Sequence, residues 1–297
     1  MEKNMIKNSD FALEVFVKII LISTMLIALY PFIYVASMSF SSSEGLLSGK
    51  VWFYPIGFSL KSYKTVLSAP DVLLKFYNTI WYTVVGTICS VSATIFAAYP
   101  LSRKDFFGRT FFMKAIIFTM YFSGGMVPTY MIVREVGLLS PGLNKWSLVL
   151  PVLVSSFNLI IARSFFETIS DSLIESARID GANDLRIFFK IIIPVSIPII
   201  AVLTIFYAVD RWNAYFNALL YIRDQKLHPI QLYLRNVLTL NQTGTGIGEA
   251  GSAADKAAYS IQVKYSLIMI TILPIIFIYP FAQKYFVKGV MIGSVKE

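Results

Sequence analysis

The sequence predicts an all-α integral membrane protein with six transmembrane helices, both termini cytoplasmic, and a short cytoplasmic helix between the fourth and fifth. Three observations lead there. Of 297 residues, 56% are hydrophobic and 14% charged, whereas a soluble domain carries roughly a quarter charged. The apolar residues gather into six runs, near 15–36, 76–99, 112–133, 146–165, 191–219 and 264–283, each close to the roughly 20 residues a helix needs to span hydrocarbon. Backbone groups in lipid must bond within their own segment, so runs that lack strand alternation are read as helices. No soluble domain and no internal repeat stands out, and residues 1–297 read as one transmembrane domain.

Each element has its own signal. Lys3 and Lys7 precede the first run, which exceeds the usual core of a cleaved leader and is expected to remain as a membrane anchor. The second run is followed by SRKDFFGRTFFMK, whose Arg103, Lys104, Arg109 and Lys114 mark the inner side of the membrane. The same rule places 163–190 and both tails inside. Two longer loops then face outward. Residues 37–75 carry the interfacial aromatics Trp52, Phe53 and Tyr54. Residues 240–258, LNQTGTGIGEAGSAADKAA, are too poor in large apolar side chains to bury much surface. The fifth run is untidy, because Asp210 and Arg211 interrupt it.

Composition also excludes functions. A net charge of +9 suggests nucleic acid, yet the charges lie between apolar blocks rather than along one face. With one cysteine, Cys89, and one histidine, His228, an intrachain disulfide is impossible and a clustered metal site is unsupported. There is no G-x-x-x-x-G-K-[ST] phosphate loop.

The segment ESARIDGANDLRIFFKIIIP, Glu175 to Pro194, is the most informative stretch. Ser172 and Glu175 fit a capping box. A helix of about two turns then runs to Asp180, and Gly181 sits where a left-handed terminal residue is wanted. Asn183 caps a second helix that presents Ile187, Phe188, Ile191 and Ile192 before Pro194. A helix as short as the first is marginal in water, so either it lies flat on the headgroups as a connector or another surface holds it.

This segment resembles the EAA loop of ABC importer permeases. Glu175-Ser176-Ala177, Asp180-Gly181-Ala182, Ile191, Ile193 and Pro194 stand at matching spacing, with Ser176 for alanine and Ile193 for leucine as departures. The resemblance covers nearly the whole chain and points to the carbohydrate, maltose-permease-like branch for complex or oligomeric sugars. It also rests on FYNTIWYTVVGTI, AAYPLSRKDFFGR, FSGGMVPTYMIVREVGLLS, WNAYFNALLYIRD and QKYFVKGVMIGSVKE.

That resemblance implies a heteromeric importer in a bacterial plasma membrane. A second homologous permease, two cytosolic ATPase subunits and an extracellular solute-binding protein are the expected partners, together with membrane lipid and a sugar. No cofactor is expected on this chain, because ATP and Mg2+ belong to the ATPase subunits. Glu175, Ser176, Ala177, Asp180, Gly181 and Ala182 are the expected ATPase-coupling residues, with Glu175 meeting a basic residue and Ala177 and Gly181 allowing close approach. Asp210, Trp212, Asn213, Tyr215 and Asn217, with Asn78 and Asn158 as weaker additions, are candidates for a sugar path, since charges inside a span default to function. The alternative is that the fifth span ends near Val209 and Trp212 belongs to the interfacial aromatic belt. The 241–258 loop has the position of one that reaches into the binding protein, or it is a tolerant surface loop. An importer permease for a peptide or ion, a membrane-embedded enzyme and a membrane scaffold are the rival readings.

Overall fold

The computed structural model describes residues 2–239 and 253–294. Their regular structure is helical, joined by turns and loops, with one isolated bridge between Ser41 and Phe58. Among the described residues, three helices are long and apolar enough to cross a bilayer: Leu13–Phe40, Pro70–Ser102 and Ala257–Pro280. They correspond to the first, second and sixth predicted runs. Asp184–Val195 and Ile197–Asn213 form a fourth stretch, bent by 77°.

The remaining predicted spans are broken, and the sequence explains where. The third run divides into Arg109–Tyr121 and Met126–Glu135. Between them lies Ser123-Gly124-Gly125, with Gly125 at a φ of 88° that interrupts the helix and that only glycine adopts freely. The fourth divides into a 3-10 turn, Asn144–Leu148, and a helix, Ser156–Glu167, whose amide at Asn158 donates to the Ser155 hydroxyl. Pro151 lies in the intervening turn. The bend in the fifth follows Pro194 and Pro198, four residues apart, because the later ring collides with the carbonyl one turn back. A π-helical turn at Phe188–Ile192 precedes that bend.

The chain gathers into two compact units, Met1–Pro70 with Asn236–Ile272, and Asp71–Arg235 with Leu273–Glu297. The first is joined by hydroxyl groups. The Ser62 and Ser266 hydroxyls lie 2.6 Å apart, Ser266 Oγ also donates to the Ser39 carbonyl, and the Ser39 hydroxyl meets that of Tyr63 at 2.7 Å. Serine keeps facing backbones close and finds partners where no water is present. Gly45 lies so close to the Ile56 carbonyl that an added Cβ would sit 2.3 Å from its oxygen.

The second unit has the larger apolar core. Val91, Ile95 and Ala98 on one stripe of the Pro70–Ser102 helix meet Leu159, Ala162 and Phe166, and then Ile187, Ile192, Ile199 and Leu203. Arg211 crosses this unit and is 5% exposed. Its guanidinium donates to the carbonyls of Leu148, Val149 and Val152 and to Ser90 Oγ at 2.9 Å. These carbonyls close the 3-10 turn and the coil after it, and have few helical donors of their own. Gly86 makes room for the side chain, which a Cβ there would approach to 3.3 Å. Nε alone finds no partner among the described residues.

Two outcomes follow. Arg211→Gln leaves buried carbonyls unpaired at about 1–3 kcal/mol each, so the thermal midpoint of the detergent-purified protein falls by several degrees while Arg223→Gln leaves it unchanged. Gly45→Ala displaces the Ile56 carbonyl and lowers the midpoint, whereas Gly49→Ala, with open space around it, meets only backbone strain and lowers it less.

Candidate functional site

The cassette forms a rod, a tight turn and a second helix. The rod is Asp171–Ile179. Its cap is Ser170, whose hydroxyl accepts from the Ser172 amide at 3.3 Å, so the predicted capping box between Ser172 and Glu175 is corrected. Two serines flank Asp171, and the chain uses the earlier one. The change frees Glu175, whose carboxylate has no partner among the described residues.

The rod ends as expected. Asp180 is its terminal residue and Gly181 has a φ of 79°. The Ala182 amide donates to the Ala177 carbonyl at 2.9 Å and the Gly181 amide to that of Arg178 at 3.0 Å, the paired bonds of a Schellman turn. Nothing lies within 4 Å of a Cβ placed on Gly181, so its surroundings within the chain are open. Asn183 then accepts from the Arg186 amide at 2.8 Å and starts the second helix.

The rod has an inner and an outer face. Ile174 and Ala177, three apart, are buried in the core with Phe166 and Ile187. Ala177 is 8% exposed, and its small side chain lets the rod lie close to its own protein. Glu175, Ser176, Asp180 and Gly181 are exposed, and Ala182 is half-buried. Ile179, 86% exposed, and Leu185 are apolar side chains of the cassette that the chain leaves uncovered. Both are apolar residues standing among charges in the sequence.

Charged groups tie the rod to the basic loop. Arg103 pairs with Asp171 at 3.2 Å and donates to the Phe166 carbonyl. Arg109 and Arg163 both donate to the Leu101 carbonyl and both pair with Glu167. Arg178 pairs with Asp184 at 3.2 Å and approaches Asp105 at 3.9 Å. The basic residues of this loop therefore also brace the rod.

The second candidate group divides by face. Helix Ile197–Asn213 continues past Val209, breaks at Ala214 and resumes as Phe216–Tyr221. Arg211 and Trp212 are buried, whereas Asp210, Asn213 and Tyr215 are exposed and Asn217 is half-buried. Asn213 Nδ2 donates back to the Val209 carbonyl at 2.9 Å. Asn78 is 2% exposed and donates to the carbonyls of Lys226 at 2.7 Å and His228 at 3.2 Å. It anchors that loop. Asn158 is likewise buried on its helix. Burial pushes His228 below the ordinary histidine range, and its Nε2 lies 3.1 Å from the Ile222 carbonyl. Residues 241–252 of the outer loop lie outside those described.

Residues 90–292 match the family described as binding-protein-dependent transport system inner membrane component. The chain is 42% identical over 272 residues to the polygalacturonan/rhamnogalacturonan transport system permease protein YtcP of Bacillus subtilis, covering 91% of this chain and 93% of that one. It is 41% identical to protein LplC of the same organism, covering 91% and 90%. Among solved structures it resembles a bacterial ABC transporter involved in the import of the acidic polysaccharide alginate. That match has a TM-score of 0.86 at 36% identity, and covers 94% of this chain and 98% of that one. The chain belongs to the inner-membrane permease family of binding-protein-dependent ABC importers and is a multi-pass protein of the bacterial plasma membrane.

Proposed function

We propose that this chain is one of two membrane-spanning subunits of an ATP-driven importer that moves an oligosaccharide into the cytoplasm by alternating access. The names of its relatives support a sugar cargo. One observation carries the coupling role: a nine-residue rod with its apolar side seated in the core turns Glu175, Ile179, Asp180 and Gly181 outward without partners of their own. A connector lying on headgroups would turn its apolar side chains to lipid, whereas this rod turns Ile174 and Ala177 into its own core and leaves Leu173 and Ile179 exposed.

In this reading the chain forms one six-span permease domain with both termini cytoplasmic. The third, fourth and fifth spans are built from broken helices, which lipid tolerates where protein covers the break. A homologous permease completes the pore, a pair of cytosolic ATPase subunits binds ATP and Mg2+, and an extracellular binding protein delivers the sugar. No cofactor is held by this chain. The rod fits a groove on an ATPase subunit: Glu175 meets a basic group, Ile179 and Leu185 fill apolar hollows, and Ser176, Gly181 and Ala182 keep the surface low. When ATP closes the ATPase pair, the rod moves with its groove. The displacement reaches the Ser156–Glu167 and Ile197–Asn213 helices through the shared core, shifting the balance between inward-open and outward-open states.

Asp210, Trp212, Asn213, Tyr215 and Asn217 lie along the sugar path, the exposed members offering hydrogen bonds and an aromatic face. Asn78 serves it indirectly by fixing the 226–228 segment. The outer loop at 241–258 helps displace sugar from the binding protein.

Gly181→Asp tests the coupling role. The site is open within this chain, and aspartate tolerates positive φ better than most residues, so the protein is expected to reach the membrane in normal amount. Sugar uptake by the reconstituted importer is expected to fall below a tenth of wild type. Normal ATP-driven uptake would reject the docking assignment, and uptake of labelled peptides in place of oligosaccharides would reject the cargo.

A further inference from the structure

A cavity of about 550 Å3 opens between the end of the Met126–Glu135 helix, the start of the 3-10 turn at Asn144 and the end of the Phe216–Tyr221 helix. It is lined by Tyr130, Arg134, Asn144, Tyr221, Arg223 and Asp224. None of these was singled out by the sequence. The volume falls within the range of small-ligand sites.

Its chemistry is specific. The Tyr130 and Tyr221 rings stack with centroids 6.2 Å apart, and Tyr221 is buried. Asp224 is already engaged, its Oδ1 accepting from the Lys226 amide at 2.9 Å. Arg134 and Arg223 are exposed to solvent, and among the described residues neither guanidinium has an ion pair or a hydrogen bond. Elsewhere in the same unit Arg103, Arg109, Arg163, Arg178 and Arg211 all find acceptors. Two unmatched cations beside an aromatic pair and an amide suit a pyranose that bears a carboxylate. A guanidinium grips a carboxylate through two parallel bonds, tyrosine supplies a flat apolar face for a sugar ring, and Asn144 can serve a hydroxyl as donor or acceptor.

We infer that this cavity is a recognition site for the carboxylate of an acidic oligosaccharide, through which the importer selects uronate-type cargo. The inference rests on the importer reading, whose proposed orientation puts the cavity at the outer mouth. Binding at such a site precedes movement along the path near Asp210 and Tyr215.

The test uses the assembled importer in detergent without its binding protein, and saturation-transfer NMR with tri-galacturonate and its methyl ester. Wild type is expected to bind the acid about tenfold more tightly than the ester, the share of one charge-assisted contact. Arg134→Gln/Arg223→Gln, eluting as an intact complex, is expected to erase that preference while leaving ester binding unchanged. Arg134→Lys/Arg223→Lys is expected to restore part of it. Equal binding of acid and ester by wild type, a preference that survives in the double glutamine variant, or no binding of either would overturn the inference. So would a double variant whose only defect is weaker attachment of the binding protein, which would make the cavity a docking surface. Uptake by the complete importer reports separately on the parent reading. Import of neutral oligosaccharides alone rejects this site and keeps the sugar importer; import of no sugar rejects both.

Discussion

The burial of Ile174 and Ala177 is the constraint on which the rest depends. A nine-residue helix has too few internal hydrogen bonds to persist alone in water. Here it is held from below by two side chains one turn apart, wedged against Phe166 and Ile187. The Schellman turn at Gly181 fixes its end and the Ser170 cap fixes its start. Because one core receives the rod and the helices above it, a push on the rod has a rigid route into the spans. Close-packed interiors transmit displacement rather than absorbing it.

Ion pairs give the same rod a second support. Glu167 gathers Arg109 and Arg163, and Asp171 takes Arg103. Exposed pairs of this kind contribute little individually. Their value lies in joining three separate segments, the basic loop, the Ser156–Glu167 helix and the rod, so that these do not slide past one another. The arginines of the basic loop thus also fix the rod against its neighbours. By contrast, Arg211 acts deep in the unit. It is a buried cation whose guanidinium is offset by three carbonyls and a hydroxyl, and it holds the broken fourth segment in place.

Much of this was legible in the residues. The first, second and sixth runs are long continuous helices, the first passing through Pro31 and the sixth through Pro274 and Pro280. Gly181 and Asn183 announced their roles because left-handed turns and helix caps admit few residue types. The broken spans were harder to read, since hydropathy averages over the glycines at 124 and 125 and the prolines at 151, 194 and 198. Capping by Ser170 rather than Ser172 was ambiguous because both serines satisfy the local pattern. The inward turn of Ala177 depends on which face of the rod meets the core, a tertiary fact that no motif carries. The acceptors of Arg211 are carbonyls more than fifty positions away in sequence, invisible to local reading. Arg134 and Arg223, far apart along the chain, come together only at the cavity.

The most direct measurement is site-specific cross-linking from Ile179. With Ile179→Cys on a Cys89→Ala background, the rod carries the chain's single thiol, and a short thiol-reactive photo-cross-linker can be followed in the assembled importer with and without ATP. The account predicts an adduct with an ATPase subunit whose yield changes with nucleotide. Adducts with lipid alone, in every nucleotide state, would contradict it.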